Sequence, residues 1–378
     1  MYKELENYLR QIMPSDKDAK KLANARNDSL AKPPHSLGGL EEIAVKIAGI
    51  TGSVCNSIGI NNMTGADNSL NSSKGKCRVI VMCADNGVCE EGVSSAPISV
   101  TAMQAVNMTR YKTGMSSMAK HFGDEVEVVD VGIATPYNCD LIINRRIASG
   151  TRNLHKEPAM SRDEVISAIK IGIERAKVAS NDGISIIGIG EMGIGNTTTS
   201  SAILSVLTGL NVSEVTGKGG GLTDEAFARK KKIIEEAIKL HAPNKNDIID
   251  VLSKVGGLDI AAMCGAFLGA AIYKIPVVID GFISVTAALC AAMISPCVTD
   301  YMFPSHVSFE PGYKKAIELL SLKPYLTLDM RLGEGSGCVL AFRIIEAALA
   351  MISGMALFGE ESAIDDGYLA EIRQGDNI

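Results

Sequence analysis

The 378-residue chain carries a formal net charge of −6, which argues against a broad nucleic-acid-binding surface, since such a surface needs a basic excess. Apolar residues make up 46% of the chain, enough for a sizeable core, and in the absence of Trp this core must be largely aliphatic. Nine cysteines without a CxxC pair or zinc-ligand spacing indicate reduced thiols, and the N-terminal segment is charged rather than apolar. We therefore expect a cytoplasmic protein without a membrane span, a bound metal or another cofactor.

Helical patterns dominate the beginning of the chain. Residues 2–13 and 19–25 have the character of short helices, and the first of them is expected to stop near Pro14. The segment 40–50 repeats Leu, Ile and Ala at helical spacing after a turn rich in Pro and Gly. Residues 51–76 are rich in Ser, Asn and Gly, a composition that predicts a flexible loop.

From residue 77 the sequence alternates between short β-branched runs and helical patterns. Near-continuous apolar runs, typical of parallel strands buried on both faces, occupy residues 77–85, 125–133, 184–191 and 275–283. Helical patterns occupy residues 162–179, 197–207 and 224–240, and an apolar helix is predicted over 337–358. This alternation predicts an α/β fold with a doubly wound, Rossmann-like parallel sheet, whose sites form at the carboxyl ends of the strands.

The segment GIGEMGIGNTTTSSAILSVL (188–207) carries the strongest chemical signal. A buried strand ends at Glu191, a glycine-punctuated loop follows, and Asn196 or Thr197 begins a helix. Backbone N–H groups at a helix start, together with threonine hydroxyls, favour the binding of an anion such as phosphate. The segment is neither a Walker A loop nor a dinucleotide fingerprint. The alternative is a glycine-rich turn that Asn and Thr merely cap.

A second glycine-flanked motif, RLGEGSG (331–337), places Glu334 between two glycines. Glycines on both sides let the backbone approach a ligand closely and leave one carboxylate projecting alone. A carboxylate in a dry setting of this kind suits general-base catalysis. A surface turn with a solvated glutamate is equally compatible with the pattern.

Two further segments lie near these motifs in the predicted sheet. The segment 215–234 combines a glycine cluster with a basic run from Arg229 to Lys232, from which one lysine could reach a phosphate. A solvated helical face is the commoner explanation of such a run. The segment CADNGVCEEGVSSAPISVTAMQ (83–104) follows the first core strand, so we expect it at the carboxyl edge of the sheet.

Taken in order, these segments resemble the nicotinate-nucleotide–dimethylbenzimidazole phosphoribosyltransferase family. The resemblance covers nearly the whole chain and runs through KPPHSLGGLE, ADNGVCEEGVS, GTRNLHKEPAM, GEMGIGNTT, residues 217–230, GGLDIAAMCGA, DGFIS, SHVSFEPG and RLGEGSG. Its most specific motifs are GEMGIGNTT and RLGEGSG. It implies transfer of the 5-phosphoribosyl group from nicotinate mononucleotide to 5,6-dimethylbenzimidazole, which gives α-ribazole 5′-phosphate for the lower ligand of a cobamide.

The resemblance also implies site residues and architecture. Glu334 matches the family's proposed base, and Glu191 matches the glutamate of GEMGIGNTT. The residues implied for phosphate and ribose are Gly193, Ile194, Gly195, Asn196, Thr197, Lys230, Ser308 and Gly333. Those implied for the acceptor base are Ser94, Met103, Gln104, Met192 and Leu332. The family's small helical lobe is built from both chain ends, here residues 1–76 and 339–378 around a core of 77–338, and its members are typically homodimers.

Several positions depart from the family's pattern. Asn86 stands where members usually have His, His35 stands where PPGSLG is usual, and Met103 replaces the usual Gln of VTAQ, with Gln104 one place later. The insert 51–76 is also unusual. The departures leave the reaction type intact but leave open another acceptor, such as a phenol, a purine or a different benzimidazole.

The expected chemistry assigns roles to the two glutamates. Cleavage at ribose C1′ develops oxocarbenium character while the incoming ring nitrogen loses a proton, which we expect Glu334 to accept. Glu191 is expected to oppose the developing positive charge or to bind a ribose hydroxyl. Because nicotinate rather than pyrophosphate leaves, Mg²⁺ is not expected. A nucleotide-binding protein without turnover and a Rossmann dehydrogenase, whose fingerprint is missing, are the alternatives from other classes.

Overall fold

The structure, a computed structural model, describes residues 2–54, 75–359 and 367. The chain divides into two compact units, Met1–Pro14 with Lys76–Ala341 and Ser15–Gly75 with Phe342–Ile378. Each unit is thus assembled from segments that lie far apart in the sequence. The predicted flexible loop 51–76 lies mostly outside the described residues, because residues 55–74 are not among them.

A parallel sheet forms the centre of the first unit. Its strands are β1 (Lys76–Ala84), β2 (Glu125–Gly132), β3 (Ile143–Asn144), β4 (Ile184–Met192), β5 (Val277–Ile279) and β6 (Met302–Pro304). Each strand pairs in parallel with its neighbours, and the order across the sheet is β3-β2-β1-β4-β5-β6. This order confirms the predicted Rossmann-like, doubly wound α/β fold.

The two central strands set the position of the site. In β1, Val79 lies opposite Val126 of β2 on one side and opposite Gly188 of β4 on the other. Every residue of β1 after Lys76 is buried, as expected for a parallel strand with helices over both faces. The chain changes its direction of winding between β1 and β4, so the carboxyl ends of these strands form the topological switch point.

Helices make up most of the remaining described chain. They are α1 (Tyr2–Leu9), α2 (Lys17–Ser29), α3 (Gly39–Thr51), α4 (Val100–Thr109), α5 (Gly114–Phe122), α6 (Arg162–Asn181), α7 (Asn196–Thr208), α8 (Val212–Val215), α9 (Asp224–His241), α10 (Ile248–Val255), α11 (Leu258–Ile272), α12 (Phe282–Ile294), α13 (Pro311–Leu319) and α14 (Ser336–Gly354). Short 3₁₀ turns cover Gly87–Glu91 and Pro296–Tyr301. Both α11 and α12 are almost entirely buried, and α11 packs along α6.

The predicted strand over residues 275–283 is too long. The strand covers only Val277–Ile279, because Asp280 and Gly281 end it and α12 begins at Phe282. The Ser284 hydroxyl accepts the Asp280 N–H at 3.1 Å, and it donates to the Ile189 carbonyl at 2.9 Å. These two hydrogen bonds bring the start of α12 against β4, beside the switch point.

The second unit is helical. Asp16 caps α2 by accepting the N–H groups of Asp18 and Ala19. A buried ion pair joins Lys32 to Glu41 of α3 at 2.8 Å. The C-terminal part of α14 belongs to the same unit, where the Ile352 carbonyl accepts a hydrogen bond from a side chain of α2.

The predicted boundary of the helical lobe needs a correction at the N-terminus. Residues 1–14 belong to the unit that contains the sheet, not to the helical unit. Glu4 of α1 pairs with Lys170 of α6 at 2.7 Å, and the Tyr301 hydroxyl donates to the Met13 carbonyl at 2.9 Å. These contacts hold the first segment against the helices that cover the sheet.

Within the described residues, α14 is the one helix with the length and apolar composition of a membrane span. Just over half of its most apolar stretch is buried inside the protein, and buried core helices meet the same criterion. Length and composition alone therefore do not identify α14 as a membrane segment.

Candidate active site

A cleft of about 270 Å³ opens at the carboxyl ends of the sheet strands, beside the switch point. Ligands of open α/β sheets bind in this position. The predicted site residues on its wall are Ser94, Gln104, Glu191, Met192, Gly193, Ile194, Gly195, Asn196, Thr197, Ser308, Leu332, Gly333 and Glu334. Residues from motifs more than two hundred positions apart in sequence thus line one cleft.

Two neighbouring residues of α4, Met103 and Gln104, differ in whether they face the cleft. Gln104 lines the cleft, whereas Met103 is 54% exposed and is not on the cleft wall. Successive helical residues point about 100° apart, so only one of this pair can face the cleft. The structure therefore does not support the predicted role of Met103 in the acceptor pocket.

The departure at Asn86 also lies away from the cleft wall. Its side chain is fully buried, and its amide donates to the Ile194 carbonyl at 3.3 Å. Asn86 therefore supports the glycine loop from behind. With Met103 also absent from the wall, neither of these two departures lies on the surface of the cleft.

The loop between β4 and α7 is fixed by hydrogen bonds on its inner side. The Ile194 N–H donates to the Thr101 hydroxyl at 3.1 Å, and the Cys89 thiol donates to the Ile194 carbonyl at 3.2 Å. The backbone groups of Ile194 are therefore engaged by protein, although the residue lines the cleft. Gly195 follows with a φ of 92°, which turns the chain into α7.

The start of α7 forms one end of the cleft. The backbone N–H groups of Gly195 and Thr197 have no hydrogen-bond partner among the described residues. Free N–H groups at a helix N-terminus and the positive end of the helix dipole favour a bound anion. Gly219, Gly220 and Ser308 line the same cleft. An anion site at this position stays a prediction.

Lys230 lies one layer behind the cleft wall. It is completely buried, and its Nζ donates to the Thr197 hydroxyl at 2.8 Å and to the Gly217 carbonyl at 3.2 Å. Burial lowers the pKa of Lys230 to about 8, although the charge of Glu310 opposes this shift. The solvated-face alternative is wrong for Lys230. The described structure shows it supporting two segments of the wall.

Glu334 lies at the other side of the cleft in a constrained loop. It is 5% exposed, so the surface-turn alternative is wrong. Its φ of 65° lies in the left-handed region, between Gly333 and Gly335 with φ values of 81° and 90°. Such a conformation in a non-glycine residue costs roughly 1–3 kcal/mol and persists only where its surroundings enforce it.

Asp280, which follows β5, provides much of that enforcement. Its carboxylate accepts the N–H groups of Gly335 at 3.0 Å and Gly337 at 2.7 Å. Burial raises the pKa of Asp280 to about 7, while these backbone N–H groups favour its ionised form. On the neighbouring strand, a Cβ at Gly190 would lie 2.5 Å from the Glu334 carbonyl oxygen, so only glycine allows this close approach.

The side chain of Glu334 is aimed at a helix start. Its Oε2 accepts the Met115 N–H at 3.2 Å in the first turn of α5. The positive end of the helix dipole stabilises a negative charge in this position. The structure thus holds one carboxylate of the cleft in a fixed orientation.

Glu191, the penultimate residue of β4, lies between Glu334 and a second buried acid, Asp259. Its carboxylate accepts a hydrogen bond from the Asn196 amide and the backbone N–H of Glu334 at 3.4 Å. The Asn196 amide also donates to Asp259 at 3.1 Å. Burial, reinforced by the nearby charges of Asp259 and Asp280, raises the pKa of Glu191 to about 8. Burial thus favours the protonated form of Glu191 in the ligand-free protein.

Sequence reasoning gave no role to several cleft residues. Asp280, His306, Glu310 and Arg331 all line the cleft. Asp280 carried a usable signal, because it directly follows a buried apolar run, as Glu191 does. Arg331 lies at the rim, with its guanidinium 5.1 Å from the ring centre of Phe309.

The fold and the cleft define an α/β protein of the doubly wound class, whose cleft combines a free helix start with fixed acidic groups opposite it. The family comparison agrees, since a phosphoribosyltransferase family model matches residues 12–363. The chain belongs to the nicotinate-nucleotide–dimethylbenzimidazole phosphoribosyltransferase family, as the resemblance of its motifs implied. Membership of this family excludes the alternative that the chain is a Rossmann dehydrogenase.

Individual relatives cover almost the whole chain. The protein of that name from Clostridium tetani is 46% identical over 372 residues, and one from Clostridium perfringens is 50% identical over 369 residues. Both alignments span 98% of this chain and 98% of the relative. The crystal structure of CobT from Thermus thermophilus superimposes with a TM-score of 0.84 at 34% identity, covering 93% of this chain and 100% of the other.

Proposed function

We propose that this protein transfers the 5-phosphoribosyl group of nicotinate mononucleotide to 5,6-dimethylbenzimidazole. The products are nicotinate and α-ribazole 5′-phosphate, a precursor of the lower ligand of cobamides such as vitamin B12. The observation that carries the proposal is the pairing, in one cleft, of the free helix start of α7 with the buried carboxylate of Glu334. The relatives, which align with this chain over nearly their whole length, bear the name of this activity.

In the proposed reaction, different parts of the cleft bind the phosphate, the ribose and the acceptor base. The start of α7 and Ser308 bind the phosphate, which places the ribose between them and Glu334. The bond from C1′ to the nicotinate nitrogen breaks, and its electron pair returns to the pyridine ring. A ring nitrogen of the acceptor forms the new bond to C1′, and Glu334 accepts the N–H proton that the imidazole ring loses.

The direct test uses the purified protein, nicotinate mononucleotide and a panel of bases. We expect release of free nicotinate and a new ribotide, both detected by mass spectrometry, with dimethylbenzimidazole present. Binding of the nucleotide without release of nicotinate in the presence of any base would instead identify a non-catalytic nucleotide-binding protein.

The acceptor slot should tolerate several benzimidazoles. Its wall combines Met192 and Leu332 with Ser94 and Gln104. Methionine adapts to aromatic faces, and an apolar slot discriminates one methyl group by only about 1–3 kcal/mol. We therefore expect benzimidazole and its monosubstituted relatives to react within roughly a hundredfold of dimethylbenzimidazole in kcat/KM. Competition assays with paired bases measure this ratio. A phenol or a purine that outcompetes every benzimidazole would contradict the acceptor assignment.

Lys230 should matter for the nucleotide more than for the acceptor. Lys230→Met keeps an unbranched chain in the buried site but removes the hydrogen bonds to Thr197 and Gly217. Because Lys230 acts through Thr197 and Gly217, whose support the substitution removes, we expect binding of nicotinate mononucleotide to weaken by roughly 1–3 kcal/mol, with little effect on acceptor binding. Calorimetric titration of both ligands measures the difference. Lys232→Met, on the exposed face of α9, is the matched control and should leave both affinities unchanged. If Lys230→Met binds the nucleotide as tightly as the wild type does, Lys230 has no role in phosphate binding.

We also propose that the protein is a cytoplasmic homodimer. The family resemblance supports the dimer, and the scattered cysteines without a CxxC pair support a reducing compartment. Light scattering coupled to size-exclusion chromatography gives the mass in solution. A mass of 39.9 kDa across micromolar concentrations would contradict the dimer.

A further inference from the structure

His306 is a buried cleft residue with one ring edge turned toward the ligand space. It follows β6, is 2% exposed and lines the cleft. A Cβ built on Gly281, another wall residue, would lie 3.9 Å from its Nε2 and 3.6 Å from the Ser308 hydroxyl. The Nε2 edge of His306 therefore faces the same part of the cleft as Ser308, next to the proposed phosphate position.

The contacts of Ser305 bear on which ring nitrogen of His306 carries the proton. The Ser305 hydroxyl donates to the Asp280 carbonyl at 3.2 Å, and it lies 2.9 Å from Nδ1 of His306. A hydroxyl has one hydrogen, and a carbonyl can only accept. With that hydrogen assigned to the carbonyl, Nδ1 donates its own hydrogen to the Ser305 oxygen. In a neutral ring, Nε2 then carries the lone pair.

The ring is neutral at physiological pH. Burial lowers the pKa of His306 to about 4. The nearest carboxylate oxygen, on Asp280, is 4.0 Å from Nδ1, which is too long for a hydrogen bond. His306 thus presents a buried hydrogen-bond acceptor, rather than a cation, to the cleft.

An acceptor in this position matches a hydroxyl group and not an anion. A fully ionised phosphate has no hydrogen to donate, so it cannot pair with Nε2. The ribose lies between the phosphate end of the cleft and Glu334, and its hydroxyls are donors. We infer that Nε2 of His306 accepts a hydrogen bond from a ribose hydroxyl of the nucleotide, and that His306 makes the enzyme selective for ribonucleotides over deoxy analogues. This role rests on the proposed function.

The kinetic test compares His306→Asn with His306→Gln. Asn places an amide near the position of Nδ1 and leaves nothing at Nε2, whereas Gln extends an amide oxygen toward the position of Nε2. The substrates are nicotinate mononucleotide and its 2′-deoxy and 3′-deoxy analogues, with nicotinate release as the readout. We expect the wild type to prefer the ribonucleotide over one of the deoxy analogues by about tenfold in kcat/KM beyond any intrinsic difference in reactivity. His306→Asn should lose that extra preference, and His306→Gln should recover part of it.

Loss of activity that is equal for the ribonucleotide and both deoxy analogues would overturn the inference, because it would show a purely structural role. Failure of the proposed function gives a different result, since the wild type would then release no nicotinate from any of the three substrates.

A second measurement needs neither catalysis nor a variant with full activity. In wild-type protein labelled with ¹⁵N-histidine, NMR distinguishes a protonated ring nitrogen from one with a lone pair. The resonances of His306 are identified by their absence in His306→Gln. We expect a protonated Nδ1 and an unprotonated Nε2 in the ligand-free protein, with Nε2 shifting when the nucleotide binds. A protonated Nε2 in the ligand-free protein would overturn the inference.

Discussion

Glu334→Gln should lower kcat by about 10²-fold or more while the protein keeps its folding stability. Glutamine has nearly the size of glutamate, and its amide oxygen can still accept the Met115 N–H that holds the side chain. What the amide cannot do is accept a proton from the acceptor base. Because the change acts on the chemical step, kcat and kcat/KM should fall together while nucleotide affinity changes little.

Steady-state kinetics with dimethylbenzimidazole measure this effect, and a binding titration with nicotinate mononucleotide checks the affinity. Glu318→Gln is the matched control, since Glu318 lies on α13 with its side chain 51% exposed and pairs only with the nearby Lys315 among the described residues. The control should keep wild-type turnover. Near-normal kcat in Glu334→Gln would show that another group removes the proton.

Local sequence patterns identified the parts of the fold that local physics determines. The long apolar runs that became β1, β2 and β4 were visible because buried parallel strands leave no polar face. The strands β3 and β6 have two and three residues, too few for any periodicity to appear. Their positions follow from pairing with β2 and β5, which only the assembled sheet provides.

Local sequence patterns likewise revealed only part of the site. Glycine punctuation revealed the two loops that carry Glu191 and Glu334, because glycine is a local signal of unusual backbone geometry. The roles of Asp280 and His306 depend on strands that are neighbours in space but far apart in sequence. No spacing within one segment could have shown that Asp280 holds the loop of Glu334.

The burial of Lys230 could have been predicted from the spacing of apolar residues that follow it. Ile233, Ile234 and Ala237 follow it at intervals of three, four and seven residues, and all are buried. Residues at these intervals share one face of a helix, so Lys230 belongs to the buried face of α9. Lys231 and Lys232 point elsewhere, which explains why only one lysine of this run of three is buried.

Glu191→Gln should stabilise the folded protein at alkaline pH while it impairs catalysis. The pKa of Glu191 is raised from an ordinary value of 4.5 to about 8, so the folded state keeps a proton that the unfolded chain has already released. The free energy of unfolding of the wild type therefore falls as pH rises from about 4.5 to about 8. Above that range, Glu191 causes no further fall. A shift of this size corresponds to something on the order of 4–5 kcal/mol. Glutamine does not ionise and avoids this cost.

Urea unfolding at pH 4.5 and at pH 8.5 measures the effect. The midpoints of wild type and Glu191→Gln should be similar at the lower pH, and the variant should be the more stable at the higher pH. Some pH dependence should persist in the variant, because burial also raises the pKa of Asp280 to about 7 and that of Asp259 to about 6. Glu164→Gln provides a control of opposite sign, because the pKa of Glu164 is lowered and its charge stabilises the folded state above the ordinary pKa.

Catalysis should respond in the opposite direction, since the ionised form of Glu191 is the one that can oppose positive charge on the ribose. We expect kcat of the wild type to rise as pH passes through about 8, and kcat of Glu191→Gln to be lower and nearly flat over the same range. A variant that gains stability at pH 8.5 and keeps wild-type turnover would assign Glu191 to the packing of the loop alone. A variant that gains no stability would show that Asn196 and the backbone of Glu334 already compensate the buried charge.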